Sequence, residues 1–477
     1  MVWQAIDMPL LLGGLQRFEH ELLLFASCWF IIAAIDELAV DFAWLWLKLT
    51  GRAKDRLLLD GRSSDHLTGR IAVLVPAWHE ADVIGAMVAH TLKAWPQREM
   101  VLFVGGYCND AGTLAAAQAG AVGDPRLRLV VNPRPGPTTK ADCLNRLYDG
   151  LCEEERSSGT VFTGVVLHDA EDMVHRDALV VIDGALGRVD FVQLPVRPEP
   201  QDDAQWVGGH YSDEFTEAHA KAMVVRDALG AAIPAAGVGC GFSRKALGEL
   251  AASRTKAGED GPFSAECLTE DYELGMLFSS GGRKGRFLRL RDGRGELVAT
   301  RAFFPGTVDE AVRQKARWIH GIAFQGWDRL GWSKRPVDIW MAVRDRHGPL
   351  TAIVLTAAYS LVVIEGLFAL AEQLGWQRPL ALSPVLRIML ALSAASLAWR
   401  ALWRFGFTAN EYGLAEGVRA VIRIPVANFI AILAGRRALF AYFRALRGGA
   451  VVWDKTRHRT HPAGALTAEP VAVEAAE

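Results

Sequence analysis

Residues 21–49, "ELLLFASCWFIIAAIDELAVDFAWLWLKL", are apolar for longer than the roughly 20 residues that cross a hydrocarbon core, which commits the chain to a membrane. Asp36, Glu37 and Asp41 interrupt the run. A cleaved signal peptide is the competing reading and is disfavoured, because only Arg17 precedes the run as a basic residue and no small-x-small site follows it. Arg52, Lys54, Arg56, Arg62 and Arg70 lie just beyond it. By the positive-inside tendency, the middle of the chain is expected in the cytoplasm.

Apolar stretches return late in the chain. "LTAIVLTAAYSLVVIEGLFAL" (350–370) carries Glu365 as its only charge, and "SPVLRIMLALSAASLAWRALW" (383–403) is bounded by Arg400 and Arg404. If both span, the chain leaves the cytoplasm and comes back. "IPVANFIAILAGRRALFAYF" (424–443) contains Arg436 and Arg437 and follows the basic, amphipathic "EGVRAVIR", so it reads equally as a span, a re-entrant segment or an interfacial helix. The expected division is a transmembrane helix in 1–50, a cytoplasmic domain in 51–335, a membrane region of two to three transmembrane helices plus an interfacial helix in 336–447, and a cytoplasmic tail in 448–477. Its Ala, Glu, Pro and Val content from Ala463 onward predicts partial disorder.

The 477 residues exceed one ordinary core, which fits a soluble domain of roughly 250 to 300 residues plus membrane segments. A net charge of -2 gives no support for a nucleic-acid partner. The six cysteines form no CxxC pair and no paired spacing with histidine, so reduced thiols are expected rather than a disulfide framework or zinc site.

Between residues 71 and 330 short apolar runs alternate with amphipathic segments: "IAVLVP" with "ADVIGAMVAHTLKAW", "MVLFVGG" with "AGTLAAAQAG", "LRLVV" with "KADCLNRLYDGL", and then "VFTGVVL". That alternation predicts a mostly parallel, Rossmann-like sheet with helices on both faces. Ligands of such sheets bind at the carboxyl ends of strands. "PAWHE" (76–80), "GGYCND" (105–110) and "HDAED" (168–172) all fall at strand ends, so these polar clusters should share one edge. Neither G-x-G-x-x-G nor a P-loop is present, and "GVGCGF" (237–242) has the wrong spacing for a dinucleotide loop.

Three clusters carry candidate chemistry. Asp169, Glu171 and Asp172 are close enough in sequence to reach a hard divalent cation, Mg²⁺ or Mn²⁺; a solvated loop is the bland alternative. In "LTEDYELGMLF" (268–278) Thr269 is expected to cap a helix whose first turn holds Glu270 and Asp271, residues that could simply complement the helix dipole. In "RQKARWIHG" (313–321) Gln314, Arg317 and Trp318 share one helical face, which by itself could be interfacial anchoring.

Taken in order, a D-x-D-like cluster, then T-E-D, then Q-x-x-R-W before a membrane segment, the chain resembles the membrane-bound family 2 glycosyltransferases over about residues 65–330. The likeness is greatest to the phage adsorption protein B type, through "YCND", "TTKADCLN", "HDAEDMVH", "FVQLPV", "GVGCGFSR" and "LTEDYELG". The resemblance implies a GT-A fold in an α/β cytoplasmic domain held between transmembrane helices. It implies donor contacts from Pro76, Glu80, Asp110, Lys140, Asp169, Gln314, Arg317 and Trp318. Metal contacts would come from Asp169, Glu171 or Asp172, and Asp271, flanked by Glu270, would act as the general base of an inverting transfer. It further implies a UDP-hexose or UDP-N-acetylhexosamine donor, a glycan or lipid-linked acceptor, and a multi-pass position in the bacterial inner membrane. An outer-membrane export partner or a homo-oligomer would complete the route. A membrane scaffold or receptor component that kept the fold without the chemistry is the alternative from another class, and a metal-dependent phosphohydrolase leaves Q-x-x-R-W unexplained.

Overall fold

The computed structural model describes residues 8–53, 56–58, 66–280, 282–375, 382–448 and 460–463. The four apolar runs of the middle segment form strands β1 (Arg70–Pro76), β2 (Met100–Tyr107), β3 (Leu127–Asn132) and β4 (Phe162–Leu167). Successive strand side chains point to opposite faces, and both faces here are dry. Ile71, Val73 and Val75 pack with Ile84, Met87 and Val88 of helix Ile84–Ala94 and with Leu179 and Ile182 of helix Ala178–Leu186. Ala72 and Leu74 face the other way, into Leu144, Leu147 and Leu151 of helix Lys140–Ser158 and Leu274 and Phe278 of helix Glu270–Ser280.

Three further strands complete the sheet among the described residues: β5 (Phe191–Gln193), β6 (Cys240–Ser243) and β7 (Gly285–Phe287). The order is β3-β2-β1-β4-β6-β5-β7. β1 pairs parallel with β2 and β4, and β3 with β2, whereas β6 runs antiparallel to both β4 and β5. The sheet is mixed α/β and mostly parallel. Because β1, β2 and β4 are parallel, Pro76, Tyr107 and Leu167 end on one edge, and the three polar clusters that follow them gather there.

Four described helices are long and apolar enough to cross a membrane: Leu12–Leu49 ahead of the sheet, then Gly348–Gln373, Pro384–Tyr412 and Ile424–Leu446 after it. The segment left open between span, re-entrant and interfacial readings is thus a continuous helix of spanning length, and "EGVRAVIR" falls mostly in the short helix Leu414–Ile422 that precedes it. Gly435 of the last helix lies so near helix Gly348–Gln373 that a Cβ there would sit 2.3 Å from the Cβ of Ala352; small residues let the two backbones approach. Most of the tail expected to be disordered, from residue 464 on, lies outside the described residues.

The acids that interrupt the first helix have partners in the α/β domain, its exit helix and helix Pro384–Tyr412. Lys221 Nζ donates to Asp41 at 2.7 Å and Glu217 at 2.8 Å, and Trp399 Nε1 donates to the other Asp41 oxygen at 2.8 Å. Arg344 bonds to Asp36 and to Glu37, the latter at 2.9 Å, while Trp340 Nε1 donates to Asp36 at 2.6 Å. Near the last helix, buried Arg423 donates to both carboxylate oxygens of Asp213, at 2.9 and 2.7 Å. Buried charges persist where they are paired and hydrogen-bonded. Here the pairs join the membrane helices to the α/β domain.

Candidate active site

Beyond β4 the chain turns through His168–Asp172. The Asp172 carboxylate closes that turn: it bonds to His168 Nδ1 at 2.8 Å and accepts the Asp169 N–H at 2.9 Å, and both side chains are buried. Burial pushes its carboxyl up from the usual range. Asp172 thus shapes the turn through Oδ2, and it also lines a cavity. Asp169 and Glu171, the other two expected ligands, line the same cavity, of about 410 Å³.

Lys140 opens helix Lys140–Ser158, where Thr139 caps the helix by accepting the Asp142 N–H at 3.2 Å. Its ammonium lies 2.5 Å from Asp169 Oδ1 and 3.9 Å from Glu270 Oε1. Burial alone would lower the ammonium, but the carboxylates of Asp169, Glu270 and Asp271 outweigh it and hold Lys140 charged.

Glu270 and Asp271 stand in the first turn of helix Glu270–Ser280. Thr269 occupies the position before it, yet its buried hydroxyl makes no capping bond; the expected cap is corrected to a hydroxyl that lines the cavity. Burial, with the neighbouring Asp271 charge, pushes Glu270 up to about 7, against the pull of Lys140. Burial also raises Asp271. Asp271 fits because position 237 is glycine: φ is +76° there, and a Cβ would sit 2.5 Å from Asp271 Oδ2. This gives "GVGCGF" a packing role that its glycine spacing did not disclose.

Helix Val308–Ile319, capped by the Thr307 hydroxyl, presents Gln314, Arg317 and Trp318 to the same cavity. Trp318 lies across Tyr211 and beside Phe215, with ring centroids 6.1 and 6.2 Å away. The buried Gln314 Oε1 and Thr269 Oγ1 have no hydrogen-bond partner among the described residues. Buried polar groups are nearly always paired, so two orphans on one cavity wall mark a place for a polar ligand.

The structure brings Pro76, Glu80, Lys140, Asp169, Glu171, Asp172, Asp271, Gln314, Arg317 and Trp318 onto one cavity. Glu270 lies next door, on an adjoining pocket of about 50 Å³ shared with Lys140, Asp271, Arg317 and Trp318. Asp110 does not line the cavity. Its carboxylate caps helix Ala111–Ala121 through Thr113 N–H at 3.4 Å and accepts the His79 N–H at 2.7 Å, so it shapes the Trp78–His79 turn instead of facing the space itself. His79 has φ +54°, an uncommon left-handed conformation that this bond helps to hold.

Several wall residues had no sequence signal. Phe215, Phe304 and Asp345 come from separate segments, and nothing in their local sequence points to a shared site. Asp345 is held by both guanidinium nitrogens of Arg226, at 2.7 and 2.9 Å, and by the Tyr272 hydroxyl at 2.8 Å. Away from the cavity, His175, Asp292 and Glu296 bring possible ligand atoms within 4.8 Å of one another. Asp292 is already engaged by Arg176 at 3.0 Å and by the N–H groups of Arg294 and Glu296, at 2.9 and 2.8 Å.

Residues 69–321 match the family described as Glycosyltransferase like family 2. The chain belongs to that family. It is 34% identical over 410 residues to bacteriophage adsorption protein B of Escherichia coli (strain K12), an alignment covering 81% of this chain and 54% of the relative. The chain thus spans about half the length of that curated relative. Among solved structures, a mannosyltransferase from Pyrobaculum calidifontis in complex with GDP-Man and Mn²⁺ is similar with a TM-score of 0.51 and 17% identity, covering 85% of this chain and 98% of that one. The family and this likeness together identify the α/β domain as a GT-A fold.

Proposed function

We propose that the chain transfers a sugar from a nucleotide-sugar donor to a glycan or lipid-linked acceptor, with inversion at the anomeric carbon. The observation that carries this reading is the single cavity where Asp169 and Glu171, Asp271, and Gln314, Arg317 and Trp318 meet from three separate segments, with two unsatisfied polar atoms in its wall. Asp271 is the general base: burial raises its proton affinity, and it stands at the cavity wall where an acceptor hydroxyl would enter. Arg317 and Lys140 face the donor's diphosphate, and Gln314 and Trp318 hold the acceptor end.

The family relationship implies a divalent cation, and the residues fit one. Asp169 and Glu171 offer hard oxygen donors on a solvent-reachable wall, the type of ligand Mg²⁺ and Mn²⁺ accept. When bound there, the cation would supply Lewis-acid stabilisation of negative charge on the departing nucleotide. No protein acid is then required opposite Asp271, unlike a hydrolase built on two flanking carboxyls.

UDP-hexose or UDP-N-acetylhexosamine is the proposed donor class, and polysaccharide synthesis and export the proposed role. A position of the proposed catalytic domain, 51–335, on the cytoplasmic side of a bacterial inner membrane is part of this reading, and the four apolar helices and the basic residues after the first support it. An outer-membrane export partner or a homo-oligomer is proposed to extend the route.

The test is nucleoside-diphosphate release by purified protein in lipid, across UDP- and GDP-sugars with Mg²⁺ or Mn²⁺. Release from one donor that requires the cation and disappears in Asp271→Asn is the expected result. Folded protein that binds none of the donors would overturn the reading in favour of a scaffold.

A further inference from the structure

The loop that carries Asp169 and Glu171 has a cavity side and a back, and the back is held carbonyl by carbonyl. The His175 carbonyl accepts from Trp95 Nε1 at 3.0 Å. The Val174 carbonyl meets His90 Nε2 at 2.9 Å. Met173 pairs with Arg301 in both directions, at 2.7 and 2.9 Å. The Asp172 carbonyl, nearest the candidate ligands, meets His461 Nε2 at 3.0 Å.

His461 comes from the segment that follows the last membrane helix, yet it is only 4% exposed, and Pro462 beside it is buried as well. Its tautomer is fixed by its surroundings. Nδ1 accepts the Ala463 N–H at 3.1 Å, so Nε2 carries the proton that goes to the Asp172 carbonyl. The His461 ring also lies 6.2 Å from that of His90, so the two imidazoles hold neighbouring peptide units of one loop.

We propose that residues 460–463 are a latch, and His461 a positioning residue, that holds the Asp169–Glu171 loop in its cation-binding shape. Through the latch, the chain downstream of the membrane helices acts on the site from behind. The proposal rests on the reading of Asp169 and Glu171 as cation ligands. It follows from the fold because a loop that must present two carboxylates to one ion needs its backbone fixed, and outer partners of metal ligands commonly alter affinity by roughly 10- to 100-fold.

The experiment compares the full chain in lipid nanodiscs with His461→Ala, His461→Gln and a chain stopped after Arg459, reading hydrogen exchange of amides 169–175 and affinity for Mn²⁺ alone. His461→Ala and the stopped chain should exchange that loop about 10-fold faster or more, with β1–β3 unchanged, and bind Mn²⁺ about 10-fold more weakly. Gln, whose amide can donate to the same carbonyl, should restore both. Unchanged loop exchange in either variant overturns the latch, as does faster exchange with unaltered Mn²⁺ affinity. Asp169→Asn separates the two ideas: if it binds Mn²⁺ like the parent, the ligand assignment fails, while loop exchange in the His461 variants still decides whether the segment holds the loop.

Discussion

Two groups of acids stand out in this chain, and the structure treats them in opposite ways. Asp36, Glu37 and Asp41, on the first membrane helix, meet Lys221, Arg344 and the indole N–H groups of Trp340 and Trp399. Asp169, Glu270 and Asp271 crowd around the single ammonium of Lys140, with Glu171 on the same cavity wall. The first group is hydrogen-bonded to the chain's own cations and indoles and fastens helices together. The second lines a cavity and its adjoining pocket together with Lys140 and Arg317, and its hard oxygen donors on one wall are the kind a divalent cation accepts.

The sharpest way to break this comparison is to remove one member from each group. Asp271→Asn should lower turnover by about 1,000-fold, within the range general-base loss produces, while leaving the thermal midpoint unchanged or higher because a buried charge is gone. Steady-state nucleotide release and a melting curve on the same preparation check both halves. Lys221→Met should do the reverse. It leaves Asp41 buried without its cation, so unfolding should become easier by about 3–5 kcal/mol, with turnover per folded molecule retained. Denaturation in lipid measures it, and an unaffected midpoint would refute the fastening role.

Smaller effects sharpen the contrast within the cavity. Glu171→Gln should weaken Mn²⁺ by at least the roughly 10-fold seen when an outer partner of a ligand is lost, measured by titration. The last prediction concerns pH. The folded-state carboxyl of Glu270 is pushed up to about 7, so folding favours its protonated form; that contribution is complete below 4.5 and disappears as pH rises to about 7. Glu270→Gln lacks the titration, so its thermal midpoint should gain on the parent by on the order of a few degrees between pH 4.5 and 7. Parallel midpoints across that window would contradict the raised carboxyl.

Much of the fold was legible because periodicity is a local property. The β1 and β2 runs alternate sides into two cores, and the helices after them fall where amphipathic spacing put them. The ligand loop was legible as a cluster, but the separate jobs of its acids were not. That Asp172 also holds His168 and the Asp169 N–H, and so shapes the loop, had no signal in the sequence. Asp110 and Thr269 changed roles, since what a side chain faces depends on elements distant in sequence: His79 for one, an open cavity wall for the other.

The sequence by itself determined a membrane-flanked, mostly parallel α/β domain, the edge of the sheet where polar clusters collect, and the three short motifs that carry the proposed chemistry, because hydrophobic period and strand polarity are written residue by residue. Tertiary structure alone decided which acids fasten helices and which line the cavity, why position 237 lacks a side chain, and that His461 returns to the back of the Asp169 loop. Those are contacts between segments separated in the sequence, and they depend on the distances and burial that only the packed chain supplies.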